Sequence, residues 1–306
     1  MYVFIVNPHS CCGKGERIWE KLKKLLRQKA VNYESYLTRC PGDAKEYARK
    51  LTENCCEPRV IIAVGGGGTL NEVLDGMCFG SNIALGCIPA GLGNDFARSL
   101  RLPLSPRRAL KRILASRMSR LLDYGVLTYG SQAEHRRFAA CAGMGLDGEV
   151  SQRAENSVLH RWLSRLHLER FGYLLLGIGE LFRAKPVKGY IILDQMKKIE
   201  FNHIYFMSAH IHPYEGGFLL APGAEGTKGR LSVCVVSHGS KKKLFSALMS
   251  AFFKRTRGLK GIRRYECREV IFHVERPLAV QVDGEFCGSS SEMEAGCIGQ
   301  KIRMLM

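Results

Sequence analysis

The 306-residue chain lacks the segments that send proteins into or across a membrane. No uninterrupted apolar run reaches the roughly 18 residues needed for a membrane-spanning helix, so any contact with a bilayer is expected to be peripheral. The first seven residues carry no basic segment and enter a strand pattern at once, so no secretory signal is expected. The twelve cysteines are therefore expected to be reduced, in a cytoplasmic protein.

Recognisable metal-binding and nucleic-acid-binding spacings are missing too. Cysteines form the adjacent pairs Cys11-Cys12 and Cys55-Cys56, and no spacing matches a four-ligand zinc site. The local cluster of His203, His210 and His212 favours strand or loop positions over metal ligation. No zinc finger, RNA-binding motif or basic zipper accompanies the positive charge, so nucleic acid is not an expected partner.

Acidic residues are absent from two long stretches, 96–122 and 226–265. The chain has 46 basic and 28 acidic side chains, a formal excess of 18 positive charges, and many of the basic residues lie in these stretches. The second stretch contains residues 244–253, whose apolar side chains share one helical face. Such a basic amphipathic helix suits an anionic membrane surface, and it equally suits packing against a protein core.

Glycine is concentrated where a strand pattern meets a helix pattern. Residues 60–64 are apolar and β-branched, Gly65 to Gly68 follow, and an amphipathic helix begins near Thr69. Glycines in such a turn let backbone N–H groups approach phosphate oxygens, and the helix N-terminus adds a partial positive charge. The pattern is typical of a phosphate-binding loop, and a tight turn that serves packing alone is the alternative.

Two further loops strengthen the phosphate-binding interpretation. The strand 83–88 leads into Gly91-Leu92-Gly93-Asn94-Asp95, where Asn94 or Asp95 is placed to cap the next helix. The first strand, 2–6, leads into Asn7 and Ser10. Parallel strands would bring all three loops to one edge of a sheet, where open α/β folds bind their ligands. A nucleotide site is therefore predicted in the first hundred residues.

The order of these motifs resembles the bacterial diacylglycerol kinase and lipid kinase family, which is related to sphingosine kinases. The resemblance rests on Asn7-Pro8, Gly65 to Val73, Pro89 to Ala97, Gly143 to Asp147 and Asp283-Gly284-Glu285. Thr38 after the second strand and Asp123 in a later strand also match the family. Together these positions extend over nearly the whole chain.

The resemblance implies an ATP-dependent lipid kinase that phosphorylates the hydroxyl of diacylglycerol or a related lipid at the cytoplasmic membrane face, with Mg²⁺ as a cofactor. Glu285 is implied as the base that receives the proton of the lipid hydroxyl, with Asp283 orienting it or helping to organise metal and phosphate. Asp95 and Asp123 are implied as metal ligands, against the alternatives of a helix cap and a strand-end hydrogen bond. The loops and the resemblance together assign nucleotide binding to Asn7, Ser10, Thr38, Gly65, Gly66, Gly67, Gly68, Thr69, Asn71, Glu72, Gly91, Gly93 and Asn94.

The sequence departs from the family pattern at three places. The family's glycine loop carries aspartate where this chain has Gly67, its second loop commonly carries threonine where this chain has Leu92, and a metal-binding acidic pair is replaced by Thr227-Lys228. A carboxylate in the glycine loop helps to hold Mg²⁺ against the phosphates. The alternative function is therefore a relative that binds nucleotide or lipid without transferring phosphate.

Two domains are expected from the patterns and from the family. Strands are predicted at 2–6, 31–37, 60–64 and 83–88 and helices at 16–29, 43–54 and 69–77, followed by strands at 189–193, 204–209, 231–237, 267–274 and 278–282. Residues 1–125 would form a three-layer α/β nucleotide-binding domain, which residues 298–306 can rejoin, and residues 126–297 a β-sandwich domain. The active cleft is expected between these domains.

Overall fold

The protein is described by a computed structural model that covers residues 1–91, 94–116, 118–130, 132–157, 169–253, 255 and 261–306. Contacts divide it into two units. The first contains Met1–Leu122 and Gln300–Met306, and the second contains Asp123–Gly299. Within the described ranges, no helix is both long and apolar enough to traverse a bilayer.

The first unit has a parallel sheet at its centre. Its strands are β1 (Tyr2–Val6), β2 (Tyr33–Leu37), β3 (Arg59–Gly65) and β4 (Ile83–Pro89), in the order β2-β1-β3-β4. Its helices are α1 (Ser10–Gly13), α2 (Gly15–Gln28), α3 (Asp43–Thr52), α4 (Gly67–Gly76), α5 (Asp95–Ser99) and α6 (Pro106–Ala115). Beside β4, Met304 from the chain end pairs with Leu85 in parallel.

Alternating side chains of the sheet explain the layers of this unit. Phe4, Val6 and Ile62 point to one face, where they pack with Trp19 of α2 and Leu110 of α6. Helices α3 and α4 pack against each other and contact β1 and β3 respectively. Because neighbouring residues of a strand face opposite sides, a fully apolar strand such as β1 can be covered on both faces. The predicted three-layer α/β fold is confirmed.

The second unit is built from antiparallel strands. They are β5 (Ser119–Tyr129, from Asp123 onward), β6 (Glu134–Phe138), β7 (Cys141–Gly145), β8 (Val187–Leu193), β9 (Lys197–His210), β10 (Tyr214–Glu215), β11 (Phe218–Leu219), β12 (Leu231–Ser237), β13 (Ile262–Cys267), β14 (Glu269–Val282) and β15 (Glu285–Leu305, up to Gly299). The helices are α7 (Leu146–Asn156), α8 (Glu169–Arg183) and α9 (Lys241–Phe252).

The long strand β14 pairs with different neighbours along its length. The first part of β14 pairs with β8, and its last residues, Val280 to Val282, pair with β7. The pairing of β14 with β15 shifts register between His273 and Leu278, around Pro277, which has no N–H to donate to a ladder. The segments predicted as separate strands at 267–274 and 278–282 therefore lie in the single strand β14, apart from Cys267, which ends β13, and Arg268. The β-sandwich class itself is confirmed.

Candidate functional site

The glycine loop connects β3 to α4 and begins that helix. Gly66 is the N-cap residue in an extended conformation, and Gly67 and Gly68 form the first turn, so the helix begins two residues earlier than the predicted Thr69. No side chain caps this end of α4, and its first turn contains no acid. The first N–H groups of a helix have no partner within the helix, so this end is suited to an anion.

The loops that follow β3 and β4 lie against each other. The Ala90 N–H donates to the Gly65 carbonyl at 2.8 Å. A Cβ on Gly91 would overlap the backbone of Gly66, and a Cβ on Gly65 would overlap the Thr69 side chain. Glycine is therefore required at both loops for their backbones to approach so closely.

Asn94 has a different role from the predicted helix cap. Asn94 adopts a left-handed conformation with φ 54°, and its side chain makes no capping hydrogen bond to α5. The Asn94 side-chain N–H donates to the Gly91 carbonyl at 2.9 Å, which closes the loop on itself. Asn94, one of the two residues predicted to cap the helix, therefore occupies the N-cap position of α5, but its side chain binds within the loop and not to the helix. Asp95 follows in the first turn of α5. Leu92 and Gly93 lie outside the described residues.

The loop after β1 is fixed to the glycine loop by Asn7. Its backbone N–H donates to the Val64 carbonyl at 3.0 Å, and its side-chain Nδ2 donates to Thr69 Oγ1 at 3.1 Å. Its Oδ1 accepts from the His9 N–H at 2.9 Å. Ser10 starts α1, and its hydroxyl is shielded from solvent. Asn7 thus acts in the structure by joining two loops.

A cleft of about 540 Å³ lies at the end of β1 and β2. Its lining residues are Pro8, His9, Ser35, Tyr36, Leu37, Thr38, Arg39 and Tyr47. The rings of Tyr36 and Tyr47 are 5.6 Å apart, and the Thr38 N–H donates to the Val6 carbonyl at 2.9 Å. The cleft therefore combines aromatic surface with the buried Thr38.

The sheet order places these loops in one row. Thr38 follows β2, Asn7 follows β1, Gly66 follows β3 and Gly91 lies beyond β4, all at the carboxyl edge. Neighbouring strands are about 4.8 Å apart, so the row extends over roughly 14 Å. An elongated ligand with an anionic end can contact several of these loops at once.

Two of the predicted nucleotide residues, Asn71 and Glu72, lie on α4 beyond its first turn. The Glu72 carboxylate accepts the N–H groups of Gly42 at 3.0 Å and Ala44 at 3.2 Å, at the N-terminus of α3. Asn71 on the same helix is fully buried. Both oxygens of Glu72 thus stabilise a helix end, and negative charge there also complements the helix dipole.

In the second unit, Asp283 and Gly284 form a two-residue turn between β14 and β15. Both have positive φ values, 50° and 89°, as a tight hairpin requires, and Val282 pairs with Glu285 across the turn. The Asp283 carboxylate accepts N–H groups from Ala139 at 2.8 Å, Ala140 at 2.7 Å and Cys141 at 3.0 Å. Asp283 therefore anchors the turn to the segment that begins β7.

Glu285 directly follows this turn and is the first residue of β15. Its side chain is 35% exposed, and Oε2 lies 3.0 Å from Nη2 of Arg136, a residue of β6. The positive charge of Arg136 favours the ionised carboxylate, which is the form that can accept a proton. Sequence patterns did not identify Arg136, because the two residues are 149 positions apart and meet only through strand pairing.

Asp123 is almost fully buried in the second unit. Its Oδ2 accepts the Gly229 N–H at 2.7 Å, and its own N–H donates to the Gly226 carbonyl at 2.7 Å. In the loop that these bonds hold, the Lys228 ammonium lies 3.5 Å from the Glu225 carboxylate. Asp123 therefore makes a hydrogen bond of the kind that the sequence analysis gave as the alternative to metal ligation.

Comparison with known proteins extends over both units. Residues 1–126 match the model of the diacylglycerol kinase catalytic domain, and residues 140–305 match that of the YegS C-terminal NAD kinase beta sandwich-like domain. An α/β domain with glycine loops at its strand ends, followed by an antiparallel sandwich, defines a class of two-domain kinases. The chain belongs to the bacterial diacylglycerol kinase and lipid kinase family, which confirms the family expected from the motifs.

Individual relatives are similar over most of their length. YtlR of Bacillus subtilis (strain 168) is 27% identical over 298 residues, with 94% of each chain covered. The diacylglycerol kinase of the same organism is 26% identical, with 93% of this chain and 89% of the relative covered. A crystal structure of a diacylglycerol kinase from Bacillus anthracis str. Sterne has a TM-score of 0.72 at 18% identity and covers 99% of this chain and 96% of its own. This structure supports the fold.

Proposed function

We propose that the protein is an ATP-dependent lipid kinase that transfers the γ-phosphoryl group to the hydroxyl of diacylglycerol or a related lipid. The observation that carries the proposal is the row of loop ends in the first unit, where the uncapped N-terminus of α4 lies beside Gly91 and Asn7. Relatives with the name diacylglycerol kinase match most of this chain. An NAD kinase from Archaeoglobus fulgidus, crystallised with ATP, shares the fold with a TM-score of 0.50.

The phosphates would lie at the glycine loop. Backbone N–H groups of Gly67, Gly68 and Thr69 are at the positive end of α4, where they can donate to phosphate oxygens. The nucleoside would extend toward the cleft with Thr38 and the two tyrosines. Mg²⁺ neutralises nucleotide phosphates in kinases generally. Since Gly67 offers no carboxylate, Asp95 in the first turn of α5 is the proposed ligand within the first unit.

Acceptance of the lipid proton is assigned to Glu285. The Arg136 guanidinium at 3.0 Å keeps this carboxylate ionised, and it remains partly open to solvent. Asp283 fixes the turn through three backbone N–H groups, so it acts as a positioning residue. A carboxylate held in this way can take the hydroxyl proton as the oxygen attacks phosphorus.

Membrane contact is proposed for a patch formed by α8 and α9. The apolar face of α9 packs inward through Leu244 and Phe252, so this face is not free for lipid. Three large apolar side chains nearby are more than half exposed: Leu175, Phe182 and Phe253. Lys241 donates to the Phe182 carbonyl at 2.6 Å, so the lysines that start α9 adjoin this apolar surface. The "α8–α9 patch" consists of Leu175, Phe182, Phe253 and Lys241 to Lys243.

A second function, binding without phosphoryl transfer, is favoured by Gly67, Leu92 and Thr227-Lys228, of which Gly67 has the largest expected effect. Loss of one metal-organising carboxylate removes several kcal/mol of transition-state stabilisation, on the order of a thousandfold in rate. Nucleotide binding would survive, because the backbone donors of the glycine loop remain.

The test is a kinase assay with labelled ATP, Mg²⁺ and mixed micelles containing diacylglycerol. The unmodified protein is expected to form phosphorylated lipid, Glu285→Gln to lower the rate by a hundredfold or more, and Gly67→Asp to raise it. Glu292→Gln is the matched control, because it removes another carboxylate of β15 that contacts His273 at 3.2 Å. It should leave the rate nearly unchanged.

The outcomes separate the two functions. Product that depends on Glu285 supports the kinase. Product formed only by Gly67→Asp supports the binding protein. If neither variant nor unmodified protein forms product while ATP binding is retained, phosphoryl transfer to this lipid is excluded.

A further inference from the structure

Buried polar side chains form a cluster inside the second unit, where the surrounding core is apolar. Cys141, His210 and Glu215 are all buried, and one ligand atom of each lies within 4.8 Å of the others. The Asp147 carboxyl group interacts with Glu215. We propose that Cys141, His210, Glu215 and Asp147 bind a divalent transition-metal ion of the Zn²⁺ type. This site is separate from the ATP-associated Mg²⁺ and does not depend on the proposed kinase activity.

Strand register brings these four residues together. Cys141 of β7 is directly opposite His210 of β9, so their side chains project from the same face of the sheet. Glu215 follows five residues after His210, in the short strand β10. Asp147 lies in the first turn of α7, immediately after β7. A Cβ on Gly143 would overlap Asp147 Oδ2, so glycine at this position lets the carboxylate lie across β7.

The cluster brings two carboxyl groups and an imidazole ring close together. His210 Nε2 lies 3.2 Å from Glu215 Oε2 and 2.8 Å from the Ser208 hydroxyl. Two carboxyl groups that are buried close together hold either a proton or a metal ion between them.

Nearby positive charge from the protein is limited. Arg264 is the cationic side chain that acts on His210, and its Nε donates to the Leu220 carbonyl at 2.6 Å. Among the described residues, no lysine or arginine nitrogen lies within 4.0 Å of the Asp147 carboxylate. A bound ion would supply the missing charge.

The donor set favours zinc over magnesium or calcium. A thiolate, an imidazole nitrogen and carboxylate oxygens are the ligands of four-coordinate zinc, whereas magnesium and calcium prefer oxygen alone. Zinc holds its donors at about 2.0–2.3 Å, which puts them roughly 3.5 Å from one another. Binding would therefore draw the side chains together by about 1 Å from their present limit of 4.8 Å.

The outer contacts of the cluster also fit a metal site. Gln281 Nε2 donates to Glu215 Oε1 at 2.7 Å and to Asp147 Oδ2 at 3.2 Å, so it orients both carboxylates. Gln281 Oε1 accepts the Gly284 N–H at 2.8 Å, so the cluster also supports the turn that precedes Glu285.

The test is metal binding by protein stripped with a chelator, in a background with fewer accessible thiols. In this background, six cysteines of the first unit are replaced by serine: Cys11, Cys12, Cys40, Cys55, Cys56 and Cys78. One Zn²⁺ per chain is expected by elemental analysis after dialysis. Co²⁺ is expected to give a thiolate-to-metal charge-transfer band and the ligand-field bands of a four-coordinate ion.

The matched pair of variants is Cys141→Ala and Cys267→Ala, since Cys267 is also fully buried in the second unit. Cys141→Ala should lose the charge-transfer band and at least ten- to hundredfold in Zn²⁺ affinity. Cys267→Ala should retain both. Equal Zn²⁺ affinity in the two variants would overturn the proposal. If Cys141→Ala does not fold, saturating Co²⁺ without a charge-transfer band in the background protein overturns it as well, and the carboxylates then share a proton.

Discussion

Carboxylates in this protein are used repeatedly to bind backbone N–H groups. Glu72 accepts two such groups at the start of α3, Asp283 accepts three beside β7, and Asp123 accepts one from the loop at Gly229. A charged acceptor makes stronger hydrogen bonds than a neutral one, and it leaves fewer buried N–H groups unsatisfied. These residues stabilise the turns and helix ends on which the proposed site depends.

Replacement of Asp283 by asparagine should destabilise the second unit. The amide has one acceptor oxygen in place of two, and its NH₂ group would face N–H donors. We expect a loss of about 2–3 kcal/mol in unfolding free energy. Hydrogen exchange of residues 139–141, which now donate to Asp283, is the measurement.

Glu200→Gln is the control for Asp283→Asn. Glu200 pairs with Lys198 at the surface, where an ion pair contributes little, so exchange in the same segment should stay unchanged. Wild-type exchange in Asp283→Asn would contradict the anchoring role.

Helices α8 and α9 show how one element can serve both packing and surface contact. Leu244 and Ala247 of α9 join an interior cluster with Leu181 of α8. Phe182 is the next residue of α8, and it is more than half exposed while its ring lies 6.3 Å from that of Phe245. A helix presents consecutive residues about 100° apart, so an inward and an outward apolar residue can be neighbours in sequence.

The α8–α9 patch predicts salt-dependent binding to anionic vesicles. Replacing Lys241, Lys242 and Lys243 by glutamine should weaken binding about a hundredfold at low salt, at about 1 kcal/mol per lysine. Vesicle sedimentation with and without anionic lipid measures the effect.

A second triple variant provides the comparison. Lys21, Lys23 and Lys24 are basic residues on the surface of α2, and their replacement by glutamine removes the same charge from the first unit. If both triple variants lose binding equally, net charge and not the patch accounts for the attraction.

At the scale of the whole molecule, the chain returns to its first unit at the end. Gln300–Met306 belong to that unit, where Ile302 and Met304 are almost fully buried. Contacts between Met304 and β4 join residues more than two hundred positions apart. Completion of the first sheet therefore requires synthesis of the second unit, and long-range pairing of this kind slows folding.

Met304→Ala should destabilise the first unit, although Met304 is far in sequence from β4, with which it pairs. Loss of a buried methionine side chain destabilises a core by about 2–5 kcal/mol. Hydrogen exchange should rise in β3 and β4 and stay unchanged in β12. The exposed Met196 provides the matched Met196→Ala control, which should alter neither region. Unchanged exchange in β4 would show that the terminal strand is dispensable.

Much of the first unit could be predicted from local pattern. Apolar strands, a 3.6-residue stripe on α2 and glycines between β3 and α4 are each visible within about fifteen residues. The glycines at 65 and 91 were correctly connected to one sheet edge, because parallel strands must end together. The early start of α4 was missed, since glycine normally disfavours helix and here the first turn is fixed by tertiary contacts.

The sequence by itself determined the alternation of strands and helices, the glycine loops and the family. Tertiary structure alone decided that Glu72 stabilises a helix end, that Arg136 accompanies Glu285, and that Cys141 faces His210. Periodicity and turn chemistry are local properties, so they can be recognised along the chain. Cross-strand partners depend on sheet register between distant segments, and a shift by one residue would turn every side chain to the opposite face.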